Sequence, residues 1–274
     1  MEILESNQVF LTPNLGANAR KNLMLEDSFK TMNKDQKVFI VGICGGQGGG
    51  KTKLAMHLSN QINKSAIIEE RNYFKVAKAK RKVTYGDDVL LSKFGEYPEE
   101  RKLLLVELSN PLSYDYNKLT NHLKNLIEGK PIIVKQFDEM EGNYTGGEIE
   151  INPKDTKLII LEGYFIFKYE KVRDLINLKI FSEIDDDVRL SRLLINENKF
   201  LKDLPIAFKH FFMIYEKYIK VSYEKHISPT KKEAKIILSN CTVKDEDEDK
   251  NEKYVEDDTL TILITNLKNV VKRM

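Results

Sequence analysis

The chain is poor in the features that mark several protein classes at once. It has two cysteines in 274 residues, Cys44 and Cys241, too few for a disulfide framework or a metal-thiolate spacing. That usage suits a reducing compartment, and both are expected as buried strand residues. Neither sign of charge dominates: 44 Lys and Arg stand against 42 Asp and Glu, for a formal net charge of +2. No bulk attraction to nucleic acid or to a membrane surface follows, so neither is expected as a partner. No stretch approaches the roughly eighteen apolar residues of a membrane-crossing helix. The opening "MEILESNQVFLTPNLG" lacks a basic segment followed by an apolar one, and a soluble cytoplasmic protein is expected. The four histidines, His57, His122, His210 and His226, are scattered and expected on partly exposed helices. There is no internal repeat.

What the chain does have is a local excess of glycine. "VFIVGICGGQGGGKTKLA", residues 38–55, places Gly45, Gly46, Gly48, Gly49 and Gly50 within six positions, just before Lys51 and Thr52. The segment Gly45–Thr52, which includes Gln47, meets the pattern G-x-x-x-x-G-K-[ST] between a buried strand and a helix, the context this motif requires. Such a loop turns successive backbone N–H groups inward as an anion nest, and the helix beginning near Lys51 adds its positive end. Lys51 is expected to reach the terminal phosphates of a nucleotide, and the Thr52 hydroxyl to ligate Mg²⁺. Glu162, at the end of the apolar run "LIILEG", is the natural carboxylate partner of that metal. Arg189 and Arg192, three apart in "DDDVRLSRLL", share a helix face and could close over phosphates.

Short apolar runs alternate with helical periodicity. Strands are predicted at 38–44, 65–70, within "TKLIILEGYF", in "NLKIFSEI" and in "AKIILSN". "NKLTNHLKNLIEGKP" reads as a helix with Leu119, Leu123, Leu126 and Ile127 inward and Gly129 past its end. "IIVKQF" and "GGEIEIN" flank "DEMEGNYT" as a β-hairpin outside the main sheet. This is the pattern of an α/β fold with a parallel sheet covered on both faces and ligands at the carboxyl ends of its strands. Three parts are expected: an N-terminal extension over 1–36 containing the amphipathic stretch "ARKNLMLEDSFKTM", a core over 37–240, and a tail over 241–274. The tail opens on the acidic linker "KDEDEDKNEKYVEDD" and closes on "TLTILITNLKNVVKRM", which can fold back on the core.

The order "IVGICGGQGGGKT", "NYFK", "NPLSYDYNKLTNHLKNLIEGKPI", "KLIILEGYFIF", "VRDLINLKIFSEIDDDVRLSRLL" and "SPTKKEAKIILSN" resembles the uridine-cytidine kinase family over about residues 38–240. The resemblance implies a P-loop NTPase fold with a five-stranded parallel sheet, flanking helices and a projecting β-hairpin. It implies ATP and Mg²⁺ as cofactors and transfer of the γ-phosphoryl group of ATP to a nucleoside 5′-hydroxyl. Lys51, Thr52, Glu162, Arg189 and Arg192 match the family's donor-side positions.

The acceptor side departs from the family, which shows an aspartate base, a serine and two aromatics after its second strand. Here the text is "EERNYF". Aligning aromatic to aromatic puts Arg71 at the base position; sliding by one residue puts Glu70 there and Tyr73 on the nucleoside-contacting tyrosine. The second register keeps a general base, so Glu70 is the expected catalytic carboxylate, with Arg71 at that position as the alternative. Ser109 replaces a carboxylate before "NP", Phe137 and Asp138 occupy the substrate-contacting part of the hairpin, and Gly142 stands for a histidine. Lys199 and Lys202 replace later arginines, and an insertion lies between Phe74 and Ser109, where Asp87 and Asp88 could supply a carboxylate.

The expected activity is therefore an ATP-dependent phosphotransferase acting on a nucleoside or another small-molecule hydroxyl. The alternatives are a related kinase of phosphoribulokinase-like or pantothenate-kinase-like type, and a catalytically degenerate nucleotide-binding or assembly module. A homo-oligomer or a protein partner engaged through the tails is compatible with each.

Overall fold

The computed structural model describes residues 9–11, 35–75, 99–201, 211–239 and 258–274. Its centre is a parallel sheet built on two strands whose every residue is buried, β2 (Phe39–Gly45) and β6 (Leu158–Gly163). Continuous apolar runs of this kind have no solvent face, which is why they occupy the middle of a sheet covered on both sides. The full order is β1-β8-β7-β2-β6-β3, with β1 at Val9–Leu11, β3 at Ser65–Glu69, β7 at Leu178–Glu183 and β8 at Ile236–Ser239. All pairings in it are parallel. The five expected strands are contiguous. A sixth, β1 (Val9–Leu11), comes from the N-terminal extension and adds to the β8 edge, Val9 opposite Ile236.

Alternation along β2 distributes the core. Phe39, Val41 and Ile43 pack on one face with Leu54 and Leu58 of α1 (Lys51–Gln61). Ile40 and Cys44 belong to the other face, with Leu119, Leu123 and Leu126 of α3 (Tyr116–Ile127). Helix α3 starts where Asp115 accepts a hydrogen bond from the Lys118 N–H at 3.0 Å, and it stops before Gly129, whose φ of 84° is left-handed. A smaller cluster joins Leu105 and Val106 of α2 (Glu99–Leu108) to Phe211, Ile214 and Ile219.

The hairpin stands apart as its own two-stranded antiparallel sheet, β4 (Ile132–Asp138) on β5 (Asn143–Ile151), with a register shift between Lys135 and Phe137. Two short helices, α4 (Glu170–Arg173) and α6 (Lys220–Ser222), and the long α5 (Asp186–Leu201) complete the core. Helix α6 links two π-helical turns, Tyr215–Ile219 and Tyr223–Ile227. The closing segment forms α7 (Asp258–Arg273), whose Leu260, Leu263, Ile264, Leu267 and Val270 pack into the α1 face of the core. The stretch 19–32, Asp87, Asp88, Lys202, His210, Cys241 and nearly all of the acidic linker lie outside the described residues.

Leu263 is fully buried in α7 while Thr265 is exposed. Leu263→Ala should lower the unfolding free energy by about 3 kcal/mol, the usual cost of a core leucine truncation. Thr265→Ala should stay within about 0.5 kcal/mol. Chemical denaturation of the full chain checks both, and equal midpoints would mean that α7 is not part of the cooperative core.

Candidate active site

The phosphate loop leaves β2 at Gly45 and enters α1 at Lys51. Backbone geometry demands glycine at several of its positions. Gly48 and Gly50 are left-handed, with φ of 72° and 77°, and a Cβ on Gly45 would stand 2.5 Å from the Ser182 carbonyl oxygen, while the Arg189 guanidinium lies against Gly46. Helix α1 has neither a side-chain cap nor an acidic residue in its first turn, so its N-terminal N–H groups and its dipole are left for an anion. Lys51 is buried beside the loop, donating from Nζ to the Gly46 carbonyl at 2.9 Å with the Tyr164 ring 4.1 Å away. Burial lowers its pKa, and Glu162 is the strongest opposing charge. The Thr52 hydroxyl donates to Oε1 of Glu162 at 2.8 Å. Glu162 is itself buried, which raises its pKa, with Lys51 pulling the other way. Ser182 at the end of β7 donates to the Gly49 carbonyl at 2.6 Å and holds the loop from behind. No motif in the sequence singles that serine out.

Helix α5 brings both expected arginines to this loop. The Arg189 guanidinium lies 3.6 Å from the centroid of the Tyr223 ring and pairs with Asp186. Its buried Nε has no hydrogen-bond partner among the described residues, an orphaned donor that a phosphate oxygen would satisfy. Arg192 donates from Nη1 to the Gly48 carbonyl at 3.3 Å. Tyr223 begins a π-helical turn, a local geometry frequent at functional sites and not readable from composition.

The segment "EERNYF" divides between two faces. Its residues Glu70–Tyr73 form a 3₁₀ turn, in which side chains three apart eclipse. Glu70 and Tyr73 therefore share the inner face, 2% and 3% exposed. Glu70 accepts from the Tyr116 hydroxyl at 2.7 Å and from the backbone N–H groups of Tyr164 at 2.6 Å and Phe165 at 3.2 Å. The Tyr73 hydroxyl meets Nδ1 of His122 at 3.0 Å. Neither Glu70 nor Tyr73 lines the cleft, where the shifted register would have placed a base and a nucleoside contact. The cleft is faced instead by Glu69, Arg71 and Asn72. Arg71 donates from Nε to Glu69 and reaches Glu139 from Nη1 at 3.5 Å. Burial works against its charge, but the Glu69 hydrogen bond and the surrounding carboxylates hold it firmly protonated.

From the loop, which forms one wall, a cleft of about 1220 Å³ extends between the hairpin, α2 and α5. Phe137 and Asp138 line it. Ser109 makes no acid's contact: its hydroxyl donates to the Leu105 carbonyl at 2.8 Å and accepts from Gln47 at 3.4 Å. Gly142 is a turn residue with φ 64°. Sequence reasoning missed Glu69, Arg101, Glu139 and Glu197, all of which border the cleft. Only their charge could have flagged them, and charged residues are too common here for that to discriminate.

Glu70 carries a testable consequence. Burial outweighs its hydrogen bonds and pushes its carboxyl up to about 7 from an ordinary 4.5. The folded state thus binds this proton more tightly than the unfolded one. The associated stability is full below about pH 4.5 and is lost as pH rises through 7, roughly 3 kcal/mol over the window. Between pH 5 and 8 the wild type should lose most of that amount relative to Glu70→Gln in urea unfolding. Parallel pH profiles would show that Glu70 titrates as an ordinary glutamate.

Comparison with known proteins places this geometry. Residues 40–246 match the model of the phosphoribulokinase / uridine kinase family. A uridine kinase of Brevibacillus brevis is 30% identical over 204 residues, covering 73% of this chain and 83% of the relative. A uridine kinase of Borrelia turicatae is 31% identical over 204 residues, covering 73% and 86%. Among solved structures, a candidate fructose transport system kinase from Silicibacter sp. TM1040 superposes with a TM-score of 0.52 at 16% identity, covering 78% of this chain and 96% of that one. That likeness speaks to the fold alone. With a glycine loop, a Thr52–Glu162 pair and two loop-facing arginines in one P-loop kinase fold, the chain belongs to the phosphoribulokinase / uridine kinase family.

Proposed function

We propose that the protein is an ATP-dependent phosphotransferase that moves the γ-phosphoryl group of ATP to the 5′-hydroxyl of a nucleoside, uridine first, or to a similar small-molecule alcohol. The observation that carries this reading is the convergence of Lys51, Thr52 with Glu162, Arg189 and Arg192 on one phosphate loop. Uridine comes first because the two relatives named above are uridine kinases. A soluble cytoplasmic setting fits the same reading, and no helix among the described residues is long and apolar enough to cross a membrane.

The residues fit Mg²⁺. Thr52 and Glu162 offer hard oxygen donors side by side, and among the described residues no cluster of three or more His, Cys, Asp or Glu could hold a metal alone. This matches the way Mg²⁺ is bound, by one or two protein oxygens together with phosphates and water. When bound, the ion neutralises charge that develops on the transferring group.

The remaining roles fall to side chains. Lys51 and the loop N–H groups hold the phosphates, and Arg189 and Arg192 balance charge on the phosphoryl oxygens as it builds. Where β3 ends, the carboxylate that faces the cleft is Glu69. Its Cα pairs with that of Glu162 across parallel strands, and Arg71 holds its side chain. Glu69 is placed to take the acceptor hydroxyl's proton while Glu70 stays sealed. Phe137 offers an aromatic wall, and Asp138 a carboxylate for hydroxyl groups.

ADP release from ATP and Mg²⁺ across nucleosides and sugars tests the reading. Lys51→Ala should lower kcat by about 10²–10³, the loss typical of removing one charge-stabilising donor. Glu69→Gln should lower kcat by about 10²–10⁴ with ATP affinity kept. A large loss in Glu70→Gln at unchanged melting temperature, with Glu69→Gln active, would return the base to Glu70. If ATP binds and no acceptor is phosphorylated, the protein is a nucleotide-binding module.

A further inference from the structure

The charged groups on the acceptor side of the cleft form a continuous chain. Arg71 bridges Glu69 at the end of β3 to Glu139 in the hairpin turn. The Glu139 carbonyl accepts from Nη1 of Arg101 at 2.7 Å. Arg101, on α2, grips the Glu197 carboxylate on α5 in a two-pronged pair, Nε at 3.2 Å and the second contact shorter. The two side chains of that pair are 4% and 6% exposed. One guanidinium thus ties together α2, the hairpin and α5, elements that are far apart in the chain.

The position of Glu197 on α5 gives this pair a consequence. The same helix carries Arg189 and Arg192 over the phosphate loop, and Glu197 follows Arg192 by five residues, about 7.5 Å of helical rise. A rigid helix gripped at one end by the phosphate side and at the other by Arg101 cannot tilt without parting a buried, bidentate ion pair. Pairs of this type add little net stability over an apolar replacement, but separating the partners is costly, so they favour one relative placement of the elements they join. Arg suits the task because its planar fork fixes direction as well as distance.

We propose that Arg101 is a positioning residue that couples the acceptor wall to helix α5, so that nucleotide phosphates engaging Arg189 and Arg192 also order α2 and the hairpin turn. The inference rests on reading the phosphate loop as an ATP site. It goes beyond that reading in making the two halves of the cleft one mechanical unit.

Amide hydrogen exchange of the full chain, with and without ATP and Mg²⁺, tests the coupling directly and needs no acceptor. In the wild type, ATP should slow exchange at least about fivefold in α2 as well as in α5. In Glu197→Gln the slowing should persist in α5 and fall within about twofold of the nucleotide-free rate in α2. Its kcat should drop about tenfold with the KM for ATP within about threefold, a split that a purely structural defect would not give. Arg101→Lys keeps the charge without the fork and should give the same loss in α2, so the test survives if Glu197→Gln does not fold. Slowing confined to α5 in the wild type, or slowing of α2 retained in both variants, overturns the coupling and leaves the kinase reading intact. Failure to bind ATP in a thermal-shift titration overturns both.

Discussion

The register of β2 against β6 is the constraint from which the donor site follows. Ile43 stands opposite Glu162 and Cys44 opposite Gly163, so the glutamate arrives at the sheet's carboxyl edge level with the start of the phosphate loop. Because the side-chain period of a strand is two, a slip of one residue would turn Glu162 to the other face. Both strands are fully buried, which makes such a slip costly in exposed apolar surface. The 2.8 Å hydrogen bond from Thr52 to Glu162 is the local result of this pairing.

On this frame the electrostatics divide into two regimes. Lys51 and Glu162 are buried side by side, and the desolvation each suffers disfavours its charge while the partner favours it. They form a compact pair suited to phosphate and metal. The acceptor side holds more dispersed pairs, Glu69 with Arg71 and Arg101 with Glu197, spread over four elements. The donor side is thus one tight cluster, and the acceptor side a belt of ion pairs.

The segment between these halves shows how a local conformation decides which side chains reach the cleft. With "EERNYF" extended, alternate residues would face the cleft and both registers would stay open. The 3₁₀ turn groups Glu70 with Tyr73 and turns both inward, where Tyr116, the N–H groups of Tyr164 and Phe165, and His122 receive them. Arg71 then faces the cleft, Asn72 accepts from the Phe137 N–H of the hairpin at 2.9 Å, and Glu69, the last residue of β3, becomes the segment's carboxylate at the cleft.

The nucleotide half was legible from residues alone. A glycine loop with Lys51 and Thr52 states its ligand through backbone exposure and charge, and the apolar runs state a parallel sheet, because both signals are local and periodic. Glu162 was legible for the same reason, as a carboxylate ending an apolar run. The sheet's sixth strand, the brace from Ser182, the Tyr223 platform under Arg189 and the belt through Arg101 were not, since each joins residues whose separation in the chain carries no pattern. Which of Glu70 and Arg71 reaches the cleft lay beyond the sequence as well. It depends on which way one short turn faces, and β6 and α3 draw the Glu70 carboxylate inward.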